Sequence, residues 1–528
     1  MLLKSTATRS HPLVMKSQTR PLVIFALDSA NLDLVERWSE ADSLPNFARL
    51  LKYGKKFTIA GGGVYDEIGS WVSVFSGLSQ NDHGYYCGWR LKHGTYQLEM
   101  VNTQNAGAEP FWAGFSNHGL KAAILDPPEG FIVEDLPGVQ VMWLSMHQEE
   151  YIRRSSQFKS ASLSQEVLKL MGRHETFKFD QFEKSDSYYR DQLQKNIQRM
   201  ERRNRAFREL LSKEPFDLTV IGFGETHDAT HLLWPWHCGE KKAQGDLDNP
   251  VLQIYQSIDK EIGYYLDMLP ENAHICILSA YGTKSQYPTA MLGETLLERL
   301  GYQVPLKRKL NLTDPYSILR GMLPESIRRK LSKFLPLANQ MHLLADNFTH
   351  RTDFANSVAF YIPSLYSNWI RINLEGREPQ GMVKSGGEYI SLLDEIGHQF
   401  MQLIDPGTGK CAISSVLRTV DSAREDPVNS RLPDLVVQWK SSTQILDRVI
   451  HPQGEIRQPK PHFYRNSYHG LPGFALFNSP GMREVQSGHW SHLDLAPTFL
   501  ELLNLDIPRN MSGVSRVDRF VGTNSYGS

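Results

Sequence analysis

The chain has 528 residues, with 57 Lys plus Arg against 58 Asp plus Glu and a formal net charge of -1 at pH 7. Hydrophobic residues make up 41% and charged residues 22%, a balance that supports a sizeable buried core and excludes bulk attraction to nucleic acid or anionic membrane. No stretch approaches the ~18 apolar residues that span a bilayer, and four scattered cysteines without a C-x-x-C fit reduced thiols.

Residues 1–20 are polar and basic with no apolar signal core, so they read as a flexible extension of a cytoplasmic protein. Residues 21–528 read as one α/β domain. Leu22–Leu27 has the composition of a buried parallel strand, with Asp28 at its carboxyl end. Helix-period apolar residues follow from Leu32 to Leu51. Gly61-Gly62-Gly63 lacks the helix and lysine of a phosphate loop. Residues Glu67 to Leu78 read as a loop entering a helix, Phe111 to His118 as a helix, and Lys121 to Leu125 as a strand. This alternation predicts a mostly parallel central sheet with helices on both faces.

The stretch 146–214 is rich in Gln, Glu, Lys, Arg and Tyr. It predicts a helical cap insertion lying over the carboxyl edge of the sheet, or equally a solvated helix pair with no role in a site. Strands resume at Leu218–Phe223 and His274–Ser279, and 305–350 forms a second helical segment. Ile370 to Leu374, Leu435 to Trp439 and Gly473 to Phe477 read as further strands, and Leu493 to Leu505 as the closing helix.

Directly after Leu218–Phe223, four-residue spacing places His227 and His231 on one helix face, a known metal-ligand geometry. With 18 histidines in the sequence such a pair arises readily by chance, and by spacing alone it fits structural histidines as well. Trp234-Pro235-Trp236-His237 follows, as pocket lining or as core.

The ordered pieces resemble the alkaline phosphatase superfamily, in particular its type I phosphodiesterase/nucleotide pyrophosphatase-like group. The resemblance rests on Val23 to Asp28, Leu44-Pro45-Asn46-Phe47-Ala48-Arg49-Leu50, Trp71 to His83, Pro110-Phe111-Trp112, Ile370 to Pro379, Pro433 to Val437 and Asp494 to Thr498. It implies an alkaline-phosphatase-like α/β fold with helical insertions, acting on a small-molecule substrate through two metal ions about 4 Å apart.

Transferred residue by residue, that site is rebuilt. The Asp-x-x-x-His of one metal falls on His227 and His231, and the late histidine on His469. Three imidazoles suffice for one divalent metal, zinc first, with iron or manganese as alternatives. The Asp-His pair of the second metal falls on Ala280 and Tyr281, which leaves Asp28 as a lone carboxylate. Tyr281 either donates to an oxyanion or fills the space of the missing histidine.

The nucleophile position falls on Glu67 instead of Thr or Ser. Glu67 is a base toward a water at the metal, a fourth ligand, a covalent nucleophile, or a polar loop residue beside Asp66; Ser70 and Ser73 are fallback hydroxyls. Arg371, Asn373 and Arg377 reach an anionic substrate or form structural strand and turn contacts. His489 and His492 read as surface residues or supports of the site.

The resemblance therefore leads to a metal-dependent enzyme with a mononuclear three-His site, catalysing an atypical hydrolysis, transfer or rearrangement. The alternatives are a redox or lyase metalloenzyme with three His and one Glu, and an inactive pseudo-phosphatase that binds a ligand or partner.

Overall fold

The computed structural model describes residues 20–142, 184–242, 245–287, 289–306, 348–349, 351–364, 366–420, 426–442, 444–458, 467–483 and 487–519. Its centre is an eight-stranded sheet built from β1 (Leu22–Leu27), β2 (Lys55–Ile59), β3 (Ala122–Leu125), β4 (Gly138–Val141), β5 (Leu218–Phe223), β6 (His274–Ser279), β7 (Gly473–Asn478) and β8 (Gly488–Trp490). The spatial order is β8-β2-β7-β6-β1-β5-β3-β4. β1 lies parallel to both β5 and β6, and only β7 runs against its neighbours. The sheet is thus mostly parallel, as the α/β alternation predicts.

Alternate side chains of β1 feed two cores because successive Cβ atoms point to opposite faces. Val23, Phe25 and Leu27 pack with α1 (Leu32–Glu40), α2 (Pro45–Tyr53), α4 (Asp186–Leu211), α5 (Glu225–His237) and α6 (Pro250–Leu266). Leu22, Ile24 and Ala26 pack with α3 (Ser70–Ser76) and α7 (Leu495–Leu502). The Leu32 to Leu51 run is two helices, because Pro45 opens the second one at its first turn. Of Phe111 to His118 only Phe115–His118 is helical. Pro235 lies within α5.

Most of the 146–214 segment and of the 305–350 segment lies outside the described residues. The described part of the first, α4, packs against α5 and α6 as a helix of the face layer. Arg199 and Arg203, which look like solvated helix positions in sequence, are buried there.

A separate antiparallel sheet combines Ala359–Ile362, Asn368–Ile372, Leu435–Trp439 and Ile413–Arg418 in that order. A two-stranded ribbon pairs Gly282–Ser285 with Ser467–Gly470, setting His469 opposite Thr283 and Tyr468 opposite Lys284. No described helix is long and apolar enough to cross a membrane.

Candidate metal centre

Three neighbouring strands end at one place. β1 runs into Asp28 and Ser29, β5 into α5, and β6 into Ala280 and Tyr281. Such carboxyl ends are where α/β sheets of this kind expose loop and helix-start groups to one another. The strand ends are fastened by Ser279, whose hydroxyl donates to the Leu27 carbonyl at 2.6 Å and accepts from the Ala30 amide at 3.0 Å. Thr226 in turn donates to the Asp28 carbonyl at 2.5 Å, setting the first turn of α5.

That turn presents His227, and one turn later His231, while the ribbon brings in His469. Ring centroids are 4.5 Å apart for His227–His231, 4.4 Å for His227–His469 and 4.6 Å for His231–His469. All three are buried, and one ring nitrogen from each lies within 4.8 Å of the others. Asp28 and Glu67 do not join this group.

Two of the ring nitrogens have polar neighbours. His227 Nδ1 lies 3.0 Å from Asp28 Oδ2 and 3.4 Å from Ser29 Oγ. His469 Nδ1 lies 2.8 Å from the same Ser29 Oγ. A carboxylate this close to Nδ1 favours the tautomer that carries the proton there, although Asp28 Oδ2 makes no hydrogen bond of standard geometry among the described residues. Three converging imidazoles with carboxylate and hydroxyl support fit a divalent ion with an open fourth position.

Among the described residues no second group of ligands stands where a second metal would bind. Ala280 is fully buried and has no donor atom. Oδ1 of Asp28 accepts two hydrogen bonds, from the Tyr281 hydroxyl at 2.5 Å and from the Trp71 indole at 3.0 Å. Burial and the Asp28 charge together hold the Tyr281 hydroxyl in its neutral, donating form, well above the usual phenol range. Two neutral donors therefore occupy the carboxylate face that a cation would use.

Glu67 sits just before α3, where Gly69 takes a left-handed φ of 78°. A Cβ on Gly69 would lie 1.9 Å from the Tyr85 carbonyl oxygen, so no other residue fits this turn. Glu67 is 3% exposed, and the Tyr468 hydroxyl donates to its Oε1. Its other oxygen, Oε2, is buried and makes no hydrogen bond of standard geometry among the described residues, although the Asp66 carboxylate is near enough to favour a proton on Glu67. Burial, then the neighbouring Asp66 charge, push the carboxyl well above the ordinary value. Glu67 thus keeps its proton to higher pH than a surface glutamate does.

The fallback hydroxyls are placed differently. Ser70 is fully buried, and Ser73 lies 2.9 Å from His83 Nε2. His83 Nδ1 accepts from the Tyr85 amide at 3.0 Å, so Nε2 carries the proton and donates to Ser73. This polarity is opposite to that of a base activating a serine.

Arg371, Asn373 and Arg377 lie in the antiparallel sheet and the turn after Asn368–Ile372. Arg371 bonds Glu378 at 2.7 Å and the Leu432 carbonyl. Arg377 forks onto Asp434 at 2.8 and 2.7 Å. Asn373 donates to the carbonyls of Phe354, Ser357 and Gln380 and accepts from Tyr96. The structure directs these polar groups to their own sheet and turns, and none of their described hydrogen bonds reaches the three histidines. His492 is buried and donates from Nε2 to the Ala280 carbonyl at 2.8 Å, supporting the Tyr281 turn, whereas His489 is exposed.

Ser29 and Tyr468 are site residues that sequence reasoning missed. Ser29 had a signal, its place beside Asp28 at a strand end. Tyr468 had none, since its role depends on pairing between segments some 180 residues apart.

Residues 22–331, more than half of the chain, match the family model for type I phosphodiesterase / nucleotide pyrophosphatase. The chain matches no curated protein by sequence. Among solved structures it is similar to phosphonoacetate hydrolase from Sinorhizobium meliloti 1021 in complex with phosphonoformate, at 12% identity and a TM-score of 0.48, covering 92% of this chain and 95% of that one. It is also similar to murine ectonucleotide pyrophosphatase / phosphodiesterase 5, at 13% identity and a TM-score of 0.45, covering 95% of this chain and 100% of that one. The chain belongs to the type I phosphodiesterase / nucleotide pyrophosphatase family, hydrolases of the alkaline phosphatase superfamily.

Proposed function

We propose that this protein is a single-metal hydrolase acting on a small phosphoester or phosphonate ester, with Glu67 as a proton donor instead of an alkoxide nucleophile. The observation that carries this reading is the contrast at Asp28. One carboxylate oxygen faces a three-imidazole cluster, and the other is taken by Tyr281 and Trp71.

A divalent metal on His227, His231 and His469, zinc in the first instance, supplies Lewis-acid polarisation of a substrate oxygen and lowers the pKa of a water. Asp28 and Ser29 stand beside the Nδ1 atoms of His227 and His469 and so orient those two rings. Tyr468 fixes Oε1 of Glu67, so the proton resides at Oε2. In the reaction a water oxygen bonds to phosphorus as the bond to the leaving oxygen breaks. Glu67 gives its Oε2 proton to that leaving oxygen, and the proton lost by water restores Glu67. A carboxylate attacking phosphorus would instead form a mixed anhydride, and a buried carboxyl that keeps its proton is a poor nucleophile.

One metal clamps only one side of the transferring group, so turnover of ordinary phosphodiesters is expected to fall well below that of two-metal relatives. Elemental analysis together with hydrolysis of bis(4-nitrophenyl) phosphate tests this. About one metal per chain with weak, Glu67-dependent turnover supports it. Activity unchanged in Glu67→Gln would sink the proton-donor role.

A further inference from the structure

The three histidines come from two separate pieces of chain, α5 and the ribbon, so their spacing depends on how the ribbon is docked. Thr283 stands directly opposite His469 in the ribbon register, and the two side chains leave the same face. From that face the Thr283 hydroxyl donates to the Ser29 carbonyl at 2.9 Å and lies 2.7 Å from the Thr230 hydroxyl. Ser29 follows Asp28 in the chain, and Thr230 precedes His231. One hydroxyl thus joins the end of β1, helix α5 and the strand paired with His469.

Other polar contacts hold the same seam. The Asn31 carboxamide accepts from the Thr283 amide at 2.5 Å and donates to the Thr283 carbonyl at 3.1 Å, as a neighbouring strand would. This approach needs Gly282, because a Cβ there would lie 2.5 Å from Asn31 Oδ1. On the other strand, the buried Ser467 hydroxyl donates to the Thr230 carbonyl at 2.7 Å. Both strands of the ribbon therefore meet α5 at Thr230. The seam also sets Ser29, which holds a left-handed φ of 68°, a conformation that serine keeps only where its surroundings fix it. The Thr283 bond to its carbonyl is one such restraint, and the Ser29 hydroxyl is the group 2.8 Å from His469 Nδ1.

We propose that Thr283 is a positioning residue of the metal centre, whose hydroxyl docks the ribbon on β1 and α5 and so holds His469 at its distance from His227 and His231. This role rests on the three-histidine metal site and goes beyond it, since contacts outside the ligands then preform the site. Groups that support metal ligands in this way contribute about 10- to 100-fold in affinity. Valine has the outline of threonine without the hydroxyl, and serine keeps the hydroxyl without the methyl group.

The test is titration of the metal-free full-length chain with zinc, in competition with a chromophoric chelator, for wild type, Thr283→Val and Thr283→Ser. The visible absorption of each cobalt(II)-loaded protein reports coordination geometry, and urea unfolding confirms that each metal-free variant is folded. The expected result is a zinc Kd raised about tenfold or more in Thr283→Val and within about threefold of wild type in Thr283→Ser, with a changed cobalt spectrum in Thr283→Val alone. Thr230→Val removes the other half of the hydroxyl pair; it is read in the same way and decides the matter if Thr283→Val does not fold. Unchanged zinc affinity in the folded valine variant overturns the role of Thr283 and leaves the metal site standing. An equal loss in Thr283→Ser also overturns it, because the hydroxyl would then not be the group that acts. A wild type that binds no zinc overturns the metal site itself, and this role with it.

Discussion

The Tyr281 hydroxyl donates to Asp28 Oδ1 at 2.5 Å, closing with a neutral group the carboxylate face where the family resemblance implies a second metal. Tyr281→Phe removes this donor and leaves a buried carboxylate oxygen with only the Trp71 indole. A loss of about 1–3 kcal/mol is expected, read as a lower urea midpoint at unchanged m-value. No loss would mean that Asp28 does not depend on Tyr281.

Restoring the missing ligands tests the same relationship from the other side. In the double variant Ala280→Asp, Tyr281→His the plug is gone and a carboxylate and an imidazole stand beside Asp28. Metal content is expected to rise from near one to near two equivalents per chain by mass spectrometry. A content fixed at one would show that more than these two residues excludes the second ion.

Glu67 provides a pH-dependent prediction. Its folded-state pKa is raised, so the protonated form is the comfortable one and its contribution is complete below the unfolded value near 4.5. That contribution is lost as pH rises through the folded value, because the native state must then ionise a buried carboxyl. Glu67→Gln keeps the acceptor for Tyr468 and cannot ionise. In metal-free protein the variant is expected to match wild type near pH 4 and to exceed it by about 1–3 kcal/mol at pH 8. A difference independent of pH contradicts the assignment.

His83 behaves in the opposite sense. Burial lowers its pKa to about 3. The unfolded chain takes up a proton near pH 6.5 that the native state refuses. Stability from this group is complete above pH 6.5 and falls on acidification toward pH 3, by about 2 kcal/mol at pH 5 at ~1.4 kcal/mol per unit. His83→Gln is expected to flatten that part of the stability–pH curve. An unchanged slope between pH 6.5 and 5 would place the proton elsewhere.

Behind the cluster, Arg203 forks onto Glu225 at 2.7 and 2.9 Å with both side chains fully buried. Burial alone would raise the Glu225 pKa, but Arg203 and then Arg199 outweigh it and hold the carboxyl below its usual range. Arg203→Met leaves that charge, at the start of the helix carrying His227 and His231, with only Arg199 at 3.5 Å, and removes the guanidinium 3.6 Å from the buried Asp126. A loss of about 3–5 kcal/mol is expected, as for other broken buried pairs, measured by denaturant unfolding. A loss under about 1 kcal/mol would contradict the pairing.

Four strands, three in the central sheet and one in the antiparallel sheet, were legible because each is a mostly buried, mostly apolar run. Leu22–Leu27, Leu218–Phe223, His274–Ser279 and Leu435–Trp439 have the bounds that composition predicts. Lys55–Ile59, Gly138–Val141 and Gly488–Trp490 were not legible. They are short and carry Lys, Gln or His, and only pairing with distant strands makes them β. In the site, the His227–His231 spacing is local and could be read directly. His469 came from the family resemblance. The Tyr468–Glu67, Ser29–His469 and Arg203–Glu225 contacts each join segments far apart or hide charged residues in a helix whose polarity suggests solvent, so no local pattern encodes them.

The most direct test of the central claim is the metal content of protein purified without chelator, compared with His469→Ala. The single-metal account predicts close to one divalent ion per chain in the wild type and almost none in the variant. Two ions per wild-type chain, or equal content in both proteins, would contradict it.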